Sequence, residues 1–247
     1  MPTLKAIRLK GQSKVYALLM RLGLENIIVS FWKLKGQNVD YLRKKSLAER
    51  FDSIYKNHVW TGRREGESAS GTGSTILAAR QVSNELPNLL DRIGAESLLD
   101  LGCGKYYWMR NVNFRQLYIG ADIVASVIEE NQAKFQDDRH RFELLDGCVD
   151  PIPDADAVLC REVIFHLSFQ DAMRLLRNIK RSNAKHFICT TDPAKKVNID
   201  VPSGAWRDVN LEMEPYALGP PLATINDPVP DNSGRVLGVW SIASLPS

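Results

Sequence analysis

The sequence predicts an α/β fold: a mostly parallel sheet with helices on both faces, preceded by a helical region. Three observations predict it. Short apolar runs at 97–101, 117–122, 141–146, 156–160 and 186–191 read as buried strands. Helical patterns lie between several of them, near 125–135 and at 169–181, where Ala172, Leu175, Leu176 and Ile179 share a face. Strands that alternate with helices pair in parallel, because each crossover helix returns the chain to the same end of the sheet.

Residues 1–50 read as a basic, helical N-terminal region, with Tyr16, Leu18, Leu19, Leu22 and Leu24 interleaved with Lys14 and Arg21. Residues 51–75 read as a polar connector ending in a glycine-rich loop, and a helix is expected over 76–93. Ser74 or Thr75 is its natural N-cap, and Pro87 is expected to kink or split it. A very short helix is expected at 107–112. The stretch 193–234 is long, rich in Pro and Gly and without clear period, which marks an insert in the domain 51–247. Residues 235–242 form a last strand.

Composition narrows the setting. Cys103, Cys148, Cys160 and Cys189 form no close Cys-x-x-Cys pair, so they read as buried free thiols of a reducing, cytoplasmic compartment. No apolar run approaches the roughly 18 residues of a membrane span, and no secretory signal is evident. The charge is uneven. Residues 1–64 carry 14 Lys and Arg against four Asp and Glu, whereas the rest carries 18 against 25. The basic end therefore meets the acidic body, an anionic membrane surface at the inner membrane face, or, less favoured, nucleic acid.

The run Leu98-Leu-Asp-Leu-Gly-Cys-Gly104 is a strand that ends in a Gly-x-Gly turn, and the neighbouring strand ends in an acid at Asp122. Glycines admit a ligand close to backbone, and an acid at that place accepts hydrogen bonds from ribose hydroxyls. A dinucleotide site wants a third glycine, but Lys105, Tyr106, Tyr107 and Trp108 follow Gly104, and no Gly-x-x-x-x-Gly-Lys sequence marks a triphosphate loop here. A third strand ends at Asp146, with Gly147 and Cys148 after it. A fourth leads into Arg161, Glu162 and His166-Leu167.

Those landmarks resemble class I S-adenosylmethionine (SAM) methyltransferases over roughly residues 95–192. The resemblance implies a Rossmann-like sheet whose last strand closes it antiparallel, with SAM as cofactor. It implies cofactor contacts from Asp100, Gly102, Cys103, Gly104, Trp108, Asp122, Ile123, Asp146, Gly147, Cys148 and Arg161. The departure is Tyr106, which with Tyr107 and Trp108 would form an aromatic wall of the cofactor pocket. Residues 51–242 also resemble uncharacterised bacterial methyltransferases associated with glycan assembly, through Ile54-Tyr55, Ser70-Gly71, Gly73-Ser74, Trp108-Met109, His166-Leu-Ser168, Asn198-Ile-Asp200, Trp206-Arg207 and Asn210-Leu211.

Methyl transfer to a hydroxyl needs a base at the carboxyl ends of the strands. The catalytic candidates are His166, Arg161, Glu162 and Asp192, with His166 favoured because its ordinary pKa lies near neutrality. Trp206, Arg207 and Asn210 together offer a stacking face and hydroxyl partners for a sugar, and Ser74 closes the loop Glu67–Thr75, which can hold an anion at a helix start. Tyr55 and Trp60 join from the other side. No metal is expected. The expected reaction is SAM-dependent O-methylation of a saccharide or glycoconjugate, or of another small-molecule acceptor. RNA methylation and a non-catalytic SAM-binding scaffold are the alternatives.

Overall fold

The computed structural model describes residues 14–60, 71–229, 232 and 234–247. Helices α1 (Lys14–Arg21), α2 (Glu25–Leu34) and α3 (Leu47–Lys56) come first, followed by α4 (Ile76–Arg92). The sheet strands are β1 (Ser97–Leu101), β2 (Leu117–Asp122), β3 (His140–Leu144), β4 (Ala157–Cys160), β5 (His186–Thr191), β6 (Ala223–Asn226) and β7 (Val236–Ser241). Helix α5 (Ala125–Phe135) links β2 to β3, and α6 (Phe169–Lys180) links β4 to β5.

The seven strands lie in the order β3-β2-β1-β4-β5-β7-β6. The first five pair in parallel, and β7 runs antiparallel to both β5 and β6. Order reverses beside β1, which places a crevice at the carboxyl ends of β1 and β4. Successive β1 residues face opposite layers. Leu99 and Leu101 pack with α6 residues Ala172, Leu175, Leu176 and Ile179. Leu98 packs with Val82, Leu86 and Leu90 of α4 and Ile128 of α5. Helices therefore cover both faces, as the alternation predicts.

Local signals explain most boundaries. Thr75 Oγ1 accepts the Ala78 N–H and starts α4, and Ser168 Oγ accepts the Asp171 N–H and starts α6. Pro87 does not split α4: the helix runs unbroken through it, clamped by buried Leu86, Leu89 and Leu90. The predicted short helix at 107–112 is a single 3-10 turn, Met109–Asn111.

Two readings are corrected. Residues 51–56 are not connector but the second half of α3, which a Ser46/Glu49 capping box initiates. The insert is not structureless, since it supplies edge strand β6. A third cluster joins Ile28, Val29 and Trp32 of α2 and Ile54 of α3 to Val201 and Ala205 of the insert. The described part of the N-terminal region is thus packed on the body. Residues 1–13 and 61–70, which carry part of the basic excess and the first part of the glycine-rich loop, lie outside the described residues.

All four cysteines are free, three of them buried and Cys148 half-buried. Among the described residues, no helix is long and apolar enough to cross a membrane, and no cluster of His, Cys, Asp and Glu is placed to hold a metal ion.

Candidate active site

One pocket occupies the crevice at the carboxyl ends of the strands and encloses about 810 Å³, open solvent at its mouth included. Pockets of a few hundred to 1,000 Å³ suit small ligands and cofactors. Its floor comes from strand ends: Leu101 and Gly102 at the end of β1, Asp122 and Ile123 at the end of β2, Leu145 to Cys148 after β3, and Arg161 to Val163 after β4. The opposite wall comes from the N-terminal region: Leu47, Phe51 and Tyr55 of α3, then Trp60 and Ser74.

Asp122 is 7% exposed and sits where β2 ends. Its Oδ2 accepts the Gly104 N–H at 3.0 Å and its Oδ1 the Val124 N–H at 3.0 Å. Burial raises its pKa to about 6 against those hydrogen bonds, so it is ionised at neutral pH. Asp146 Oδ1 accepts the Cys148 N–H at 2.9 Å, which folds the turn after β3 toward the pocket. Gly102 has φ +74°, and a Cβ there would lie 2.5 Å from Val163 Cγ2, so the β1 turn packs directly on the segment after β4.

This donor set suits a nucleoside. Asp122 offers carboxylate oxygens to ribose hydroxyls, Ile123 and Leu145 offer apolar surface to a base, and Asp146 offers an acceptor to an exocyclic amine.

Several expected cofactor residues face elsewhere. Asp100 points to the other layer, where Tyr118 Oη donates to it at 2.8 Å, and burial raises its pKa to about 7. Cys103, Gly104 and Trp108 do not line the pocket. Gly104 instead donates to Asp122 and accepts Asn131 Nδ2 at 2.7 Å, which shapes the turn. The expected aromatic wall is corrected too. Tyr106 has φ +54° and buries its ring against Tyr118, Phe135 and Phe142, on the side of the sheet away from the crevice.

Arg161 and Glu162 belong to a buried ion network that the sequence did not reveal. Arg161 Nη2 reaches Asp227 Oδ1 at 2.7 Å, its Nη1 donates to the Gly73 carbonyl at 2.9 Å, and its guanidinium lies over the Trp108 ring. Arg235 pairs with Asp227 Oδ2 at 3.2 Å and with Glu162 Oε1. Burial works against the Arg235 charge, but Glu162 and Asp227 outweigh it and raise its pKa. Arg161 therefore fastens the insert and the glycine-rich loop to β4. Glu162 has φ +67°, a strained setting for a residue with a side chain, held by its N–H on Thr190 Oγ1 at 3.0 Å.

His166 lies in the pocket beneath Trp60, with ring centroids 4.3 Å apart and planes 31° apart. Its Nδ1 is 2.9 Å from the Ala205 carbonyl oxygen. A carbonyl can only accept, so Nδ1 carries the hydrogen and Nε2 keeps its lone pair. Burial lowers the His166 pKa, helped by Arg207 and Arg235, against the opposing pull of Glu162 and the Ala205 carbonyl. The ring is thus a neutral acceptor at pH 7.

Asp192, Trp206, Arg207 and Asn210 lie outside the pocket lining. Asp192 Oδ1 accepts the Ala194 N–H and its Oδ2 accepts Asn232 Nδ2, which bends the chain after β5. Trp206 meets Phe165 edge-to-face. Arg207 is buried, donates to the Leu167 carbonyl and to Tyr216 Oη at 2.9 Å, and lies over Phe169. Asn210 donates to the Lys195 carbonyl at 2.9 Å and accepts the Glu212 N–H. The expected sugar kit thus builds the insert and stays out of the pocket. Ser74, Tyr55 and Trp60 do reach it.

Residues 99–186 match a family described as a methyltransferase domain. The fold is similar to magnesium protoporphyrin IX methyltransferase of Synechocystis, solved with bound SAM, at 15% identity and TM-score 0.55 over 78% of this chain and 94% of that one. It is also similar to a SAM-dependent methyltransferase of Anabaena variabilis, at 16% identity and TM-score 0.54 over 79% and 95%. A third similar structure is the N-methyltransferase NodS of Bradyrhizobium japonicum, at 12% identity and TM-score 0.50 over 69% and 98%. No curated protein sequence matches the chain.

Proposed function

We propose that the chain, whose residues 99–186 match a methyltransferase domain, is a SAM-dependent enzyme that methylates a hydroxyl of a saccharide or glycoconjugate, with His166 as the base. When bound, SAM supplies a methyl group on a positively charged sulfur. Asp122, Asp146, Ile123, Leu145 and Gly102 are the residues that would hold it. His166 Nε2 would take the proton of the acceptor hydroxyl as that oxygen receives the methyl group, which SAM would supply. The Ala205 carbonyl keeps that nitrogen in its accepting state, and the Trp60 ring fixes the plane of the imidazole. Phe51, Tyr55 and Trp60 give the acceptor an aromatic wall, as a sugar ring's C–H face requires.

The observation that carries this reading is the fixed tautomer of His166 in the same pocket as Asp122. A neutral imidazole contributes about 100- to 10,000-fold to a proton transfer. The resemblance to glycan-assembly methyltransferases supports the acceptor class.

The experiment is transfer of labelled methyl from SAM into fractionated cell extract. Label in a saccharide or glycolipid fraction, as an alkali-stable ether and dependent on His166, supports the proposal. Label confined to RNA, to protein or to nitrogen overturns the acceptor class, and SAM binding without any transfer overturns the enzymatic reading.

A further inference from the structure

We propose that the outer face of the α1–α2 hairpin docks on an anionic lipid surface. The helices are joined by Leu22, Gly23 and Leu24, and Gly23 has φ +69°, so the turn is tight. Inward, Ile28, Val29 and Trp32 of α2 are buried against the body. Outward, each helix keeps a second apolar stripe in solvent. Leu18 and Leu22 lie one turn apart along α1 and its end, and Ile27, Phe31 and Leu34 repeat along α2 at helical spacing. Leu34 is 87% exposed. Scattered exposed leucines are ordinary, but two stripes on adjacent short helices mark an interaction face.

The charges around this face say what it meets. Both acids between residues 14 and 45 are already paired, Glu25 with Arg50 and Asp40 with Lys33, each at 2.6 Å. Arg21, Lys44 and Lys45 are exposed and form no close salt bridge among the described residues, although Glu49 feels the Lys44 charge, and Lys35 lies 4.5 Å over the Phe31 ring. Apolar stripes rimmed by cations match a bilayer with anionic headgroups. RNA would satisfy the cations but leave aliphatic side chains in water, and a second copy of the chain would oppose cation to cation.

The placement links this face to the pocket. The same buried cluster that seats α2 includes Ile54 of α3, whose neighbours Phe51 and Tyr55 line the pocket wall. The inference does not depend on the acceptor proposed above, since lipid binding is read without catalysis.

The test is co-sedimentation of the full chain with vesicles of phosphatidylcholine alone or with 30 mol% phosphatidylglycerol (about 30, a composition that gives a clear surface potential). Binding to the anionic vesicles only, weakening as salt rises, is expected. Ile27→Asp with Leu34→Asp should lower it at least ~10-fold, and Lys44→Glu with Lys45→Glu by roughly fivefold per charge. Thermal stability and nucleoside binding should stay unchanged in both variants. Equal binding to neutral vesicles, or none to either, overturns the proposal. So does a dimer that the Asp variant dissociates, or retention on RNA in preference to anionic vesicles.

Discussion

Replacing Asp227 with Asn removes one charge from the centre of a buried network. Asp227 is fully buried and accepts from Arg161 Nε at 3.2 Å, Arg161 Nη2 at 2.7 Å and Arg235 Nη2 at 3.2 Å. Breaking a buried pair from one side costs about 3–5 kcal/mol, because the remaining charge stays buried without its partner. Here two guanidiniums lose it. Each keeps one acceptor, the Gly73 carbonyl for Arg161 and Glu162 for Arg235, which holds the cost toward the lower end. For a chain of this size each kcal/mol moves Tm by about 2–4 °C, so Asp227→Asn should melt roughly 6–12 °C lower. Urea unfolding with an unchanged m-value is the assay, and Lys33→Ala, which breaks an exposed pair, is a control expected to move nothing. An Asp227→Asn protein as stable as the parent would refute the claim that this network fastens the insert to β4.

Three further outcomes follow from the site. The Asp100 pKa is raised from 3.8 to about 7, so its contribution to stability is full below pH 3.8 and lost as pH rises through 7. Asp100→Asn removes that dependence and should be more stable than the parent at pH 8, by up to about 4 kcal/mol, read by chemical unfolding across pH. His166→Asn should keep SAM affinity and lose about 100- to 10,000-fold in turnover. With the parent enzyme, kcat/KM should stay flat as pH falls through 6.5 and decline only below it, because the His166 pKa is lowered. Trp60→Ala should raise the acceptor KM by roughly 3- to 10-fold and leave SAM affinity alone, as a loss of ring stacking would.

The sheet was legible because its central strands are buried on both faces. Runs such as Ile119–Ala121 and Ala157–Cys160 have no polar face to obscure them, and an acid at a strand end, such as Asp122, stands out by contrast. Strand β6 was not legible: it is four residues at an edge, with only Ile225 buried. Helix α3 did carry a signal, the Ser46-x-x-Glu49 capping box, which a reading of 51–75 as connector passed over.

Within the site, topology alone puts Asp122, Asp146 and His166, which follow strand ends, at one crevice. Side-chain direction was not legible. Asp100 and Leu101 are neighbours on β1, and only the pleat decides which of them faces the pocket. Chemistry-bearing types in the insert misled for a related reason. Arg207 and Asn210 spend their hydrogen bonds on the Leu167 and Lys195 carbonyls, brought to them by the fold, a use that spacing does not distinguish from ligand contact. Asp227 and Arg235 are paired through the fold, and nothing in their local sequence marks them as buried.

The proposal stands on one pocket, lined by both Asp122 and a neutral His166, in which Asp122 would hold the cofactor's ribose. Calorimetric titration of the demethylated cofactor, S-adenosylhomocysteine, into the parent chain and into Asp122→Ala tests it most directly. One site per chain, weakened at least ~10-fold by the substitution while the protein stays folded, is the predicted result. Full affinity in Asp122→Ala, or no binding to the parent, would contradict it.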